Sequence, residues 1–314
     1  MKNMKLSKLF ILLIAVTMFL ACESNPTSKT DEANSNKNTT AQPETAELTV
    51  VARPDSIKEL MKARGEQDQS EPELMVESPQ EGATINSSTV KVKVKVVGDV
   101  KMGKNEDGTG NHVHVILDNQ PYAAHYMWDE GFELRNVSDG EHTLRMFASR
   151  PWHESYKNEK AFKTVKFTVK DGKADETKPT TDDNGNKMAD AKKAVEKKAE
   201  GADVQESTAG KVDFTKPFIT YSRPKGEYKG SDAEAIMIDF WISNAKLKGD
   251  GGEYQVEYVI NDGQAQTLEK WEPIWLKGWK EGTNTIKLTL LDKDGKPLEN
   301  GGYNSTTREI KVMK

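Results

Sequence analysis

Alternation with a period of two, written twice along the chain, most constrains what this sequence can become. "NHVHVILDNQ" at 111–120 runs parallel to "YQVEYVINDG" at 254–263. "FELRNVSDGEHTLRMFA" at 132–148 does the same with "IWLKGWKEGTNTIKLTL" at 274–290. Each copy closes on a further alternating segment, "KTVKFTV" and "TREIKV". Successive side chains of a strand point to opposite faces, so alternation bounded by Gly, Asp and Asn turns specifies antiparallel strands.

Two units of this size, each with several strands and no long helical pattern, predict an all-β chain. The expected architecture is two tandem immunoglobulin-like antiparallel β-sandwiches, over 77–170 and 211–314, each with its own core. The paired cysteines of antibody domains are absent, since the chain has a single Cys, so the expectation rests on pattern. Between the units, residues 171–210 form a charged linker, within which the Ala, Lys and Glu of Lys187–Glu200 predict a short solvated helix. Ahead of the first unit, 47–76 reads as an extension containing a short helix in "PDSIKELMKARG", started by Asp55 or Ser56 and stopped by Gly65.

The N-terminus gives an address. Lys2, Lys5 and Lys8 precede an apolar run that stops at Cys22. The run is shorter than the roughly 20 apolar residues of a permanent membrane span, so residues 1–21 read as a signal peptide. "FLAC" resembles the lipobox of bacterial lipoproteins, which makes Cys22 the lipidation site and the membrane a partner through the lipid. The expected location is the cell envelope, on the periplasmic or surface face of the outer membrane. Residues 22–46, rich in Ser, Thr, Asn and Glu, lack the apolar surface to offset the entropy of ordering and read as a disordered tether. With Cys22 lipidated no thiol remains, so any metal must use His, Asp or Glu. A net charge of −5, with Lys+Arg 45 against Asp+Glu 50, argues against a nucleic-acid partner.

Chemistry concentrates in the first unit, which holds all five histidines: His112, His114, His125, His142 and His153. Val113, Val115 and Leu117 form one row of a strand, matched by Val256, Tyr258 and Ile260 in the second unit; this row is the expected core. His112 and His114 then point outward, where the second unit has Gln255 and Glu257. The alternation favours solvent-exposed histidines on a polar sheet face. The competing reading is a copper or zinc site made by His112 and His114, two imidazoles at i and i+2 on one strand face, with His125 or Asp118 as third ligand. His142 shares a face with Leu144 and Met146 at the rim, with Asn284 as its counterpart.

Three segments, "GNHVHVILDNQPYAAHY", "SRPWHESYKNEKAF" and "YSRPKGEY", resemble a group of envelope lipoproteins of Gram-negative bacteria with tandem sandwich repeats, some of them labelled phosphopeptide-binding. The first unit alone also resembles a broader periplasmic domain family with a His-rich strand. The phosphopeptide label implies an anion site, for which Ser149, Arg150 and His153 are the candidates, with Arg223 in a second Ser-Arg-Pro. In forkhead-associated domains the Ser and His of the recognition segment stand three apart; here Ser149 and His153 stand four apart. Trp271, Trp275 and Trp279 raise a glycan platform, with Trp275 outward and Trp279 in the core. No catalytic motif is recognisable. The expected function is a non-enzymatic, lipid-anchored binding or structural module for a protein, peptide or glycan, with copper or zinc binding as the alternative.

Overall fold

In "VKVKVKVV" at Val90–Val97 the alternation becomes a wall: Val90, Val92 and Val94 are buried while Lys91 and Lys95 are exposed. The computed structural model describes residues 47–65, 69–104, 109–118, 122–126, 131–172, 189–190, 212–301 and 304–314. In chain order the first part comprises β1 (Thr49–Val51), α1 (Asp55–Arg64), β2 (Glu73–Ser78), β3 (Ala83–Ile85), β4 (Val90–Val97) and β5 (His112–Leu117). It continues with β6 (Ala123–His125), β7 (Phe132–Arg135), β8 (Gly140–Ser149) and β9 (Phe162–Val169). The two described residues of the linker, Ala189–Asp190, form β10. The second part comprises β11 (Phe218–Arg223), β12 (Gly226–Lys229), β13 (Ile236–Ser243) and β14 (Gln255–Ile260). It ends with β15 (Gln266–Leu268), β16 (Ile274–Lys277), β17 (Gly282–Leu291) and β18 (Ser305–Met313).

These strands build tandem all-β sandwiches. In the first, the sheet β10-β7-β4-β2 faces β3-β9-β8-β5-β6. Val90, Val92 and Leu134 from one sheet meet Val113, Val115, Leu144 and Phe167 from the other. In the second, β1-β16-β13-β11 faces β12-β18-β17-β14-β15 around Ile238, Phe240, Val256, Leu288 and Trp279. The registers reproduce the repeat seen in the sequence: β5 pairs β8 with His112 opposite Ser149, and β14 pairs β17 with Gln255 opposite Leu291.

The sandwiches have separate cores, yet they pack against each other. Trp241 of the second joins Ile116, Tyr122, Phe147 and Tyr156 of the first in a third apolar cluster. Around it, Arg145 donates to Thr220 Oγ1 at 2.8 Å, and Lys157 donates to Asp239 Oδ1 at 2.7 Å and to the Phe240 carbonyl at 2.7 Å. A buried carboxylate such as Asp239 is tolerable only when paired in this way. The N-terminal segment ties the two further, because β1 pairs antiparallel with β16 and so completes a sheet of the second sandwich. Gly278 permits that approach: it sits at φ +92°, and a Cβ there would stand 2.4 Å from the Glu47 carbonyl oxygen. The chain then enters α1, which ends at Gly65 in the left-handed conformation, φ +66°.

One corner recurs in both sandwiches with different chemistry. Asp118 Oδ1 accepts from the Thr143 amide, and its other oxygen takes Nδ1–H of His142, whose Nε2 donates to the Ser138 carbonyl. In the second sandwich Asn261 Oδ1 accepts from the Thr285 amide, Asn261 Nδ2 donates to Asn284 Oδ1, and Asn284 Nδ2 donates to the Lys280 carbonyl. Both partners of the His142 ring are acceptors, so the corner favours the imidazolium and raises the pKa of the ring.

Candidate metal centre

The strand β5 is buried along its whole length, on both faces. His112 and His114, expected on an exposed face, are each 0% exposed. The reason is the second sandwich: the outer face of the β5–β8 pair, with Ile116 and Phe147, packs against Trp241. Tyr122 stacks on the His114 ring at 3.7 Å between centroids, and Tyr126 lies 4.7 Å from the His112 ring.

A third imidazole meets them from the loop after β8. His112 Nε2 lies 2.9 Å from His114 Nε2 and 2.8 Å from His153 Nδ1, and the third side of the triangle is 3.4 Å. A metal about 2.0–2.1 Å from each nitrogen sets separations of roughly 2.9 Å for a right angle and 3.4 Å for a tetrahedral angle. His112 Nδ1–H donates to the Gly110 carbonyl at 2.9 Å, which leaves the lone pair on Nε2 facing its neighbours. Hydrogen bonds alone serve this triangle badly, because one lone pair would have to accept two N–H donors. A single cation accepts all three lone pairs.

Protonation is set for the same role. Burial pulls His112 down to about 4, against the help of the Gly110 carbonyl. Burial, then the neighbouring rings and the Arg223 and Lys225 charges, hold His114 well below the ordinary value. His153 is lowered by burial and by Arg223. All three are neutral at pH 7, the form that ligates metal.

The loop that delivers His153 is built for it. The hairpin from Ser149 to Ser155 closes through Arg150 N–H to the Glu154 carbonyl and His153 N–H to the Arg150 carbonyl, each 2.8 Å. The second sandwich closes the equivalent loop from Leu291 to Pro297 with Asp292 N–H to the Lys296 carbonyl and Gly295 N–H to the Asp292 carbonyl. His153 therefore occupies the position of Gly295, at φ +67° against +77°. A side chain in that conformation costs backbone energy, the kind of strain that persists where function requires it.

The remaining sequence candidates lie elsewhere. His125 is opposite Val113 in the β5–β6 ladder and stacks on Phe132 at 3.7 Å, on the core face of the sheet and away from His112 and His114. Its counterpart is Leu268, opposite Val256, which is why a third ligand cannot come from this position. Asp118 belongs to the His142 corner. Ser149 and Arg150 do not assemble an anion site with His153. Ser149 Oγ donates to the Glu154 carbonyl, and Arg150 lies beside the Glu154 carboxylate and 4.3 Å over the Tyr156 ring. Arg223 does reach the centre from the second sandwich, 5.8 Å from the Tyr122 ring centre.

The tryptophans form no common platform. Trp279 is core and donates to the Leu276 carbonyl. Trp275, expected outward, is 4% exposed because β1 and Arg53 cover it. Trp271 stands edge-on to Trp241 at 4.9 Å and lines an open cleft of about 1130 Å³ with Phe162, Phe214 and Lys157. Cys22, the apolar run before it and most of the linker lie outside the described residues. Among the described residues, no helix is long and apolar enough to cross a membrane.

No family model and no curated protein matches the chain. Solved structures with similar strand arrangements include fibronectin(III)-like modules of Clostridium thermocellum CbhA, at 12% identity and TM-score 0.23, covering 76% of this chain and 93% of that one. The mixed-linkage glucan utilization locus protein SGBP-B of Bacteroides ovatus, in complex with a mixed-linkage heptasaccharide, matches at 12% identity and TM-score 0.21, over 77% and 70% of the two chains. The central fibronectin-III array of RIM-binding protein matches at 10% identity and TM-score 0.23, over 77% and 68%.

Proposed function

We propose that the chain is a non-enzymatic, lipid-anchored envelope module whose ligand is a divalent transition-metal ion held by His112, His114 and His153. One observation carries this reading: three neutral imidazole nitrogens, two on buried rings and one on the half-buried ring of His153, converge within 2.8–3.4 Å, the third delivered from a backbone conformation that the second sandwich gives to glycine. Among nitrogen sites Cu(II) binds more tightly than Zn(II), and the donor set offers no sulfur to reverse that order. Anchoring rests on the lipobox resemblance at Cys22. Cys22→Ser should leave the precursor unprocessed or the protein free of the membrane, and normal retention in the membrane fraction would count against the anchor.

Calorimetry of the full chain with Cu(II) and Zn(II) tests the ligand. The expected result is one site, with copper the tighter, and a loss of about 100-fold or more in His153→Asn, which tolerates the left-handed backbone but removes a ligand. Absence of uptake, or equal uptake by the variant, would refute the reading.

A further inference from the structure

The loop that carries His153 and its counterpart in the second sandwich share a backbone pattern but are held in different ways. Between Leu291 and Pro297 the staple is internal: Asp292 Oδ1 accepts from the amides of Asp294 and Lys296, each at 2.9 Å. Arg150 takes the place of Asp292 in the first sandwich, and a guanidinium has no lone pair to offer an amide. The other difference is at the end of the loop, where Pro297 has no N–H and Ser155 has one. The amides of Arg150 and Tyr156 close the hairpin inward, onto the carbonyls of Glu154 and Ala148. Successive amides of a strand point opposite ways, so the Ser155 N–H is turned outward.

Asp239 of β13 takes that outward donor. Its Oδ2 accepts from the Ser155 amide at 3.1 Å and its Oδ1 from Lys157 Nζ at 2.7 Å, while the same ammonium donates to Ser155 Oγ at 2.9 Å. Asp239 alternates with the core residues Ile238 and Phe240 and shares its face with Trp241, which packs on the first sandwich. Opening the contact would strand a fully buried carboxylate, so the grip is firm. Glu154 gives a second hold on the loop, taking Arg53 at 3.2 Å and the Trp152 indole at 2.7 Å. His153 stands two residues before Ser155, in the left-handed conformation at φ +67°.

We infer that Asp239 of the second sandwich is the positioning residue for His153. By fixing the Ser155 arm of the loop it sets the third imidazole against His112 and His114, so metal affinity depends on the docking of the two sandwiches. This rests on the metal reading above. His112 and His114 are placed by the β5–β8 ladder inside the first sandwich, whereas His153 rides on the loop. The centre is thus a joint product: ligands from one sandwich, the hold on the third ligand from the other. Linkage is reciprocal, so bound metal strengthens the docking in turn.

Zn(II) calorimetry on the full chain, joined to X-ray absorption at the zinc edge, separates positioning from mere adhesion between the sandwiches. Asp239→Ala should weaken Zn(II) by about 10-fold or more. At saturation it should also drop His153 from the three coordinated imidazoles. Asp239→Asn, which keeps an oxygen for the Ser155 amide, should lose less. Ser155→Pro copies Pro297 and removes the amide donor while leaving Lys157 on Asp239, so it should weaken zinc in the same direction, and it decides the matter if Asp239→Ala fails to fold. An adhesive role alone would leave affinity and all three imidazoles unchanged in the folded variants. That result would overturn the inference and leave the metal site standing, whereas no zinc uptake by the wild-type chain would bring down both.

Discussion

The strands β5 and β14 occupy the same place in the two sandwiches and are covered differently. In β14 burial alternates as its sequence does: Val256, Tyr258 and Ile260 lie inside, while Gln255 bonds Lys248 and Glu269 on the surface. In β5 every residue is buried, and the polar row that is Gln255 and Glu257 in one copy is His112 and His114 in the other. Alternation fixes which residues share a face; it does not fix whether that face meets water. Here a polar face has been enclosed by a second domain, and enclosure turns two surface-type positions into a candidate coordination site.

Exchanging the two faces should give the largest effect. His112→Gln with His114→Glu, which copies the second sandwich, places an amide and a carboxylate in the enclosed site and should cost more than about 2 kcal/mol in urea unfolding. The reverse change, Gln255→His with Glu257→His, should stay within about 0.5 kcal/mol. Equal costs for the two exchanges would mean that the β5 face is not enclosed.

Exchanging the loops comes next. In His153→Gly the relief of the left-handed side chain, about 1 kcal/mol, offsets the extra freedom of glycine in the unfolded chain, about 0.5–1 kcal/mol. Stability should therefore move by less than about 1 kcal/mol, while metal binding is lost. A large drop in the unfolding midpoint would show that His153 serves the fold instead.

The corner exchange is smallest. Burial works against a charged His142, but the hydrogen bond and charge of Asp118 prevail, and its pKa is raised. A raised folded-state pKa means that the imidazolium contributes fully below the unfolded value, about 6.5, and that the contribution fades as pH rises through the folded value. His142→Asn, which copies Asn284, should flatten the fall in stability as pH rises above about 6.5. An unchanged pH profile would remove His142 as its source.

Much of the fold was legible. The repeat placed the core rows, because period-two patterning is a local property. The site was legible in part. His112 and His114 were visible as a pair, but their burial depends on packing of their sheet face against Trp241, more than 100 positions away, and no periodicity encodes that packing. His125 was misplaced although a signal existed: extending the alignment pairs it with Leu268, a position facing the core. His153 was missed as a metal ligand for a similar reason. Aligning "SRPWHESY" with "LDKDGKPL" sets it against Gly295, and a histidine in a glycine position is an anomaly that asks for a function. The attachment of β1 to the second sandwich left no trace in the pattern, since a three-residue strand carries too little alternation to name its partner.

X-ray absorption at the copper edge of the Cu(II)-loaded full chain reads the ligand set itself. One copper per chain with three imidazole nitrogens at about 2.0 Å is expected, falling to two imidazoles or to no bound copper in His153→Asn. A chain that takes up no copper, or one whose three-imidazole signature survives the loss of His153, would contradict the three-histidine centre.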